Sequence, residues 1–175
     1  MKVKQAIRIP IGFIAGFVFL LRAEPTPVSF VSGLIIMVLG EAVRFISAGT
    51  LIKYEGVTRN GIYNFTRNPL YVGSFLIGVG ACIISRDPVF SLFFFIAYPL
   101  IYFQVIKREE VFLKGRYGDE YTQYLNEVPR FWSGRLDLKE IVKESSPFLA
   151  VKNGELYTIS GIFAVTVIMV VKMVW

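Results

Sequence analysis

The sequence predicts an all-α fold: a polytopic bundle of about five transmembrane helices, with a cytoplasmic helical segment after the fourth. Three observations predict it. Of 175 residues, 54% are hydrophobic and only 18% are charged, against roughly 25% charged in soluble domains. The apolar residues fall in long runs rather than amphipathic stripes, and about 20 of them in a row suffice to cross the hydrocarbon core. The basic residues, which give a net charge of +6, gather between alternate runs. This pattern excludes an ordinary soluble globule, a disordered chain and a collagen-like chain.

The first run, Ile9–Leu21, is short, and Ala6, Ile7 and a snorkelling Arg8 extend it. Its basic start (Lys2, Lys4, Arg8) is that of a signal peptide, yet no small-residue cleavage site precedes Glu24. It is therefore read as a membrane helix, with Gly12 and Gly16 spaced for close packing. Pro25 and Pro27 turn the chain into the second span, Val28–Ser47, which carries Glu41 and Arg44. Three apart on a helix, these two suit a pair that locks helix packing, or one that lines a pore. The third span is Leu70–Ser85, where Gly78 and Gly80 read as packing positions. The fourth is Pro88–Ile106, where Pro99 removes a helix hydrogen bond and opens space. The fifth is Leu156–Val174.

Charge sets the orientation. With the amino terminus in the cytoplasm, the inner segments hold nearly all the Lys and Arg, and the outer loops only Arg22 and Arg86. The basic excess is thus a topology signal rather than a nucleic-acid footprint. Two inner segments are large, Ala48–Pro69 and Lys107–Glu155, and chemistry is expected there. The charged tract Ser133–Glu155 is expected to carry a surface helix before the last span. Histidine is absent, which removes histidine-ligated zinc, a Ser-His-Asp triad and a histidine base; no metal site is expected. The single cysteine, Cys82, lies in an apolar run and cannot form an internal disulfide.

In the first inner segment, Asn68-Pro69 reads as a helix start, with Asn at the N-cap and Pro at the first helical position. Unpaired N–H groups there, with the full charge of Arg67 beside them, make a carboxylate or phosphate site. Tyr63, Phe65 and Tyr71 offer flat surfaces for a ring or a cation. Equally, Arg67 could anchor the helix to headgroups and the tyrosines form an interfacial belt. The second inner segment is expected to begin as a cytoplasmic continuation of the fourth helix, with Lys107 and Arg108 marking the membrane boundary and Glu109 and Glu110 following at once. Such a carboxylate can bind an ammonium group or ribose hydroxyls, or can simply balance the two cations. Gly115 and Gly118 are expected to interrupt the helix. A second short helix then presents Tyr117, Tyr121, Tyr124 and Val128 on one face, ending at Pro129.

Taken together, the two segments resemble a family. Arg67-Asn68-Pro69-Leu70-Tyr71-Val72-Gly73, preceded by Gly61-Ile62-Tyr63, is similar to the R-H-P-x-Y-x-G signature of isoprenylcysteine carboxyl methyltransferases and related phospholipid methyltransferases. Glu109-Glu110 with Leu113, then Tyr117-Gly118, Glu120-Tyr121, Tyr124 and Val128-Pro129-Arg130, resemble that family's second block. The resemblance covers residues 58–132 of a single 1–175 domain, leaving the first two spans and the last, about 156–174, outside it. One departure is plain: Asn68 stands where the family has histidine.

The resemblance implies an integral-membrane enzyme that uses S-adenosylmethionine, held in a cytoplasmic pocket built by the two blocks. It implies methyl transfer to a lipophilic or prenylated acceptor, an isoprenylcysteine-like carboxylate or a thiol. The alternative is a non-catalytic membrane protein such as a small transporter or channel subunit. On the family reading, Arg67 with the Asn68–Pro69 helix start receives the cofactor carboxylate. Gly61, Tyr63 and Tyr71 line the cofactor, and Glu110 holds its ammonium or ribose. Glu109 and Arg130 are the catalytic candidates on the acceptor side. Asn68 can exchange hydrogen bonds but not protons. A carboxylate or thiolate acceptor needs no base, whereas an amine would need Glu109 or a tyrosine. The acceptor's hydrocarbon is expected to reach the site between the third and fourth helices, near Pro99. The acceptor's identity and the oligomeric state are not encoded legibly.

Overall fold

The computed structural model describes residues 14–52, 56–131, 134 and 137–175. Its regular elements are helical: α1 over residues 14–22, α2 Pro27–Thr50, a 3₁₀ turn Gly61–Asn64 and α3 Pro69–Ser85. Then come α4 Pro88–Glu127, α5 Leu138–Lys143, α6 Pro147–Lys152 and α7 Glu155–Val174. Among the described residues, three helices, α2, α4 and α7, are long and apolar enough to cross a membrane. The apolar α3 has 17 residues, about 26 Å of helix. These elements are those of a multi-pass integral membrane protein. Much of the expected first span, Gly12 included, lies outside the described residues.

Local chemistry explains where the spans begin. Pro27, Pro69 and Pro88 each open a helix, where a missing N–H costs nothing. Thr26 and Ser29 form a reciprocal capping box, the Ser29 N–H donating to Thr26 Oγ1 at 3.3 Å and the Thr26 N–H to Ser29 Oγ at 3.0 Å. Asp87 caps α4, accepting from the Val89 N–H at 2.8 Å.

The centre of the bundle is the α2–α3 pair. Glycines let the two backbones touch: a Cβ on Gly33 would lie 2.5 Å from the Gly80 carbonyl, and one on Gly40 would lie 2.7 Å from that of Gly73. Gly78 makes room for the Phe94 ring, so the packing role read for Gly78 and Gly80 holds. Met37, Cys82, Ile84, Phe90 and Met169 complete the apolar core with Phe19 and Ala23. The end holding Ser85 is tied internally. The Glu24 N–H donates to the Ser85 carbonyl at 3.1 Å, Arg22 pairs with Asp87, and Lys172 Nζ donates to the carbonyls of Leu20 (2.9 Å) and Ala23 (2.7 Å).

Three expectations are corrected. The fourth helix continues past Ile106, as expected, but Gly115 does not interrupt it. Residues 107–117 are mostly good helix formers, so nothing ends the helix before Gly118. There the backbone breaks at φ 54, ψ −122, a conformation that favours glycine. Pro99 opens no gap. Around it, rings fill the α3–α4 seam, with Phe75–Phe94 centroids 5.7 Å apart, Phe75–Tyr98 5.4 Å and Tyr71–Tyr102 5.2 Å. The single surface helix expected in Ser133–Glu155 is two short ones, capped by Asp137 and Ser146.

Candidate functional site

At the other end of the bundle, the two motif segments meet. The Arg67 N–H donates to the Pro129 carbonyl at 3.0 Å. The Arg130 carbonyl accepts from Thr66 Oγ1 at 3.0 Å and Asn68 Nδ2 at 3.1 Å. Asn68 is the N-cap of α3, as expected, but its side chain makes no capping bond. Its amide ties the second segment to the first instead. The buried Tyr124 hydroxyl donates to the Tyr63 carbonyl at 2.7 Å, a second tie between them.

Between the segments lies a cavity of about 440 Å³, the size range of small-molecule sites. Tyr63, Arg67, Asn68, Pro69 and Tyr71 line it from one segment, and Glu109, Glu110, Tyr117 and Tyr121 from the other. Gly61 and Arg130, both expected at the site, do not line it. Gly61 is buried at φ +55 in the 3₁₀ turn, where a Cβ would sit 3.2 Å from Thr50 and 3.3 Å from Glu144. It shapes the turn that carries Tyr63. Arg130 sits behind the wall and grips Glu110, Nη2 to Oε2 at 2.8 Å and Nε to Oε1 at 3.2 Å. Its guanidinium also lies over Phe103, 5.8 Å from the ring centre.

Arg67 completes the cluster, its Nη1 3.4 Å from Glu110 Oε1. Two guanidiniums therefore share one carboxylate. Arg67 Nε is buried and has no hydrogen-bond partner among the described residues. A buried unmet donor on a cation is costly, and this one lies where the two motif segments meet. Next to it, the Tyr71 hydroxyl donates to Glu109 Oε1 at 2.7 Å, fixing that carboxylate at the cavity wall. Burial pushes the phenols of Tyr63 and Tyr124 far above their ordinary value and that of Tyr121 up to about 12. These three stay neutral and cannot serve as bases near pH 7; they shape and dry the cavity.

Two charged lining residues lie outside the motif segments, Arg44 and Glu155. Arg44 Nη2 donates to both Glu155 oxygens at 2.9 and 3.0 Å, and Nε to Oε2 at 3.1 Å. Arg44 Nη1 also donates to Ser74 at 2.5 Å. The expected partner, Glu41, is 3.7 Å away and secondary. A charge inside a span asks for a partner, and Glu155, heading the last span, was the signal available in the sequence.

The fold and the site thus define a multi-pass helical membrane protein with a charged, aromatic-lined cavity at one end of the bundle, built by segments flanking a helical hairpin. The chain belongs to the phospholipid methyltransferase family, whose profile matches residues 28–120. It is 32% identical over 108 residues to protein-S-isoprenylcysteine O-methyltransferase A of Arabidopsis thaliana, covering 55% of each chain. The Schizosaccharomyces pombe protein-S-isoprenylcysteine O-methyltransferase is 32% identical over 90 residues, 51% of this chain and 38% of that one. The human protein of that name is 25% identical over 111 residues, 57% and 39%. The chain spans about half the length, or less, of these relatives. No solved structure matches it.

Proposed function

We propose that this chain is an S-adenosylmethionine-dependent methyltransferase acting on a lipophilic acceptor, an isoprenylcysteine-like carboxylate or a thiol, at the cytoplasmic membrane face. The observation that supports it most is the Arg67–Glu110 pair in a charged, aromatic-lined cavity walled by both motif segments. The residues fit the cofactor. Arg67 and the start of α3 suit its carboxylate, Glu109 or Glu110 its ammonium, and Tyr63, Tyr71 and Tyr117 its flat and cationic parts. When bound, the cofactor supplies an electrophilic methyl group on a sulfonium.

The chain's own task is alignment and exclusion of water. Arg130 holds Glu110, Glu110 holds Arg67, and both cations are thereby fixed before any ligand arrives. An ionised carboxylate or thiolate needs no proton removed, which suits a cavity whose buried phenols stay neutral. If the acceptor is an amine, Glu109 is the group placed to take its proton, with Tyr71 orienting it.

The test uses full-length protein in lipid nanodiscs and calorimetry with S-adenosylmethionine. Wild type binds, while Arg67→Ala and Glu110→Gln each lose about tenfold or more, the loss expected for a charged hydrogen bond. Unchanged affinity in both variants, or no binding by wild type, overturns the reading. Transfer of a labelled methyl group is then compared for a farnesylated cysteine carboxylate, a long-chain thiol and an aminophospholipid. Labelling of the aminophospholipid alone would overturn the acceptor class.

A further inference from the structure

The two short helices before the last span, α5 and α6, sort their charges. Their carboxylates are engaged within the chain. Glu140 Oε1 accepts from Asn64 Nδ2 at 2.7 Å, and Glu144 Oε2 from Asn60 Nδ2 at 3.4 Å. Asp137 caps α5, accepting from the N–H groups of Lys139 at 2.9 Å and Glu140 at 3.3 Å. Ile141 marks the inward side, buried against Ile62, Tyr63 and Phe65. At about 3.6 residues per turn, the opposite side of α5 sets Leu138 and Val142 beside Lys139 and Lys143. All four are exposed, Leu138 by 72%. In α6, Ala150 is buried, whereas Phe148, 78% exposed, and Lys152 face outward. Among the described residues, none of the three lysines makes an ion pair.

Hydrogen bonds to α2 fix the depth of this face. The Ser146 N–H donates to the Gly49 carbonyl at 2.9 Å, and Asn153 Nδ2 donates to the carbonyls of Ala48 at 2.8 Å and Leu51 at 3.0 Å. The segment therefore lies level with the end of α2 at Thr50 and the start of α7 at Glu155, where hydrocarbon gives way to headgroups. We propose that α5 and α6 form a binding surface for anionic phospholipids of the bilayer. Leu138, Val142 and Phe148 enter the acyl boundary, and Lys139, Lys143 and Lys152 meet the headgroups. Charge complementarity selects the occupant. The apolar side chains alone would accept any lipid, whereas each lysine beside them favours a lipid of net negative charge by up to about fivefold. The surface shares no residue with the lining of the cavity and is independent of the methyltransferase reading.

The experiment uses full-length protein in phosphatidylcholine nanodiscs carrying a trace of one photoreactive lipid, phosphatidylglycerol or phosphatidylcholine. Both probes have the same tails, with a diazirine near the headgroup end of one tail. Crosslinks to residues 138–152 are mapped by mass spectrometry. Phosphatidylglycerol labels them about tenfold more or better than phosphatidylcholine, and about 1 M salt collapses that advantage by screening. Lys139→Gln, Lys143→Gln and Lys152→Gln each lower it, and the triple variant removes it. Lys107→Gln, which removes a cation from α4 instead, leaves it unchanged. Phe148→Ser lowers labelling by both probes. Equal labelling by the two probes, an advantage that survives the triple variant or high salt, or an equal loss from Lys107→Gln overturns the proposal. S-adenosylmethionine binding in the same nanodiscs reports separately on the other reading.

Discussion

The two ends of the bundle handle charge in opposite ways. At the end where α3 meets α4, Arg22 pairs with Asp87 and Lys172 donates to backbone carbonyls. Those charges are answered within the protein, and they hold chain ends together. At the other end, Arg67 and Arg130 crowd one carboxylate, and Arg67 keeps a buried donor unmet. Charge at the first end is closed upon itself, and charge at the second is gathered around a cavity.

The contrast breaks if both ends respond alike to substitution. The largest effect is expected for Glu110→Ala, which leaves two guanidiniums without their shared partner. It costs about 3 kcal/mol in stability and abolishes cofactor binding, read by thermal unfolding and calorimetry in nanodiscs. Gly40→Ala comes next. Its methyl group would press on the Gly73 carbonyl and lowers stability by about 2 kcal/mol, with unfolding affected more than ligand affinity. Lys172→Met removes donors from α1 and costs about 1 kcal/mol, leaving cofactor affinity unchanged.

The smallest effect is a pH dependence at the closed end. The hydrogen bond from Arg22 holds the Asp87 carboxyl below the usual carboxylate range. Its contribution is therefore complete above the unfolded value, about 3.9, and disappears as pH falls through the lowered folded value. The unfolding midpoint should fall more steeply below pH 4 in wild type than in Asp87→Asn.

Much of the fold was legible because spans are written in composition. The second span was read to within three residues of α2 at its far end, and the third and fifth to within one at each end. The meeting of the two motif segments was legible too, because charge placed both on one side. What failed depended on details that no local pattern carries. Gly115 and Gly118 look alike in sequence, yet only Gly118 breaks the helix. Asn68 reads as a cap, but its side chain is turned so that Nδ2 donates to the Arg130 carbonyl and Oδ1 caps nothing. Arg44 found Glu155, 111 residues away, over the neighbour three residues along.

The glycine contacts of α2 with α3 carry one more consequence. Where the backbones touch, at Gly33–Gly80 and Gly40–Gly73, the close approach leaves little room for rearrangement, so this pair behaves as one rigid plank. Arg44 and Arg67 are mounted on it and at its edge, and the spacing between them is set by main chain alone. Shape changes that admit different molecules must then come from α4, whose rings can tilt, and from α7, held to the plank by side chains. Variation among relatives should accumulate on those outer helices and spare the small residues of the plank.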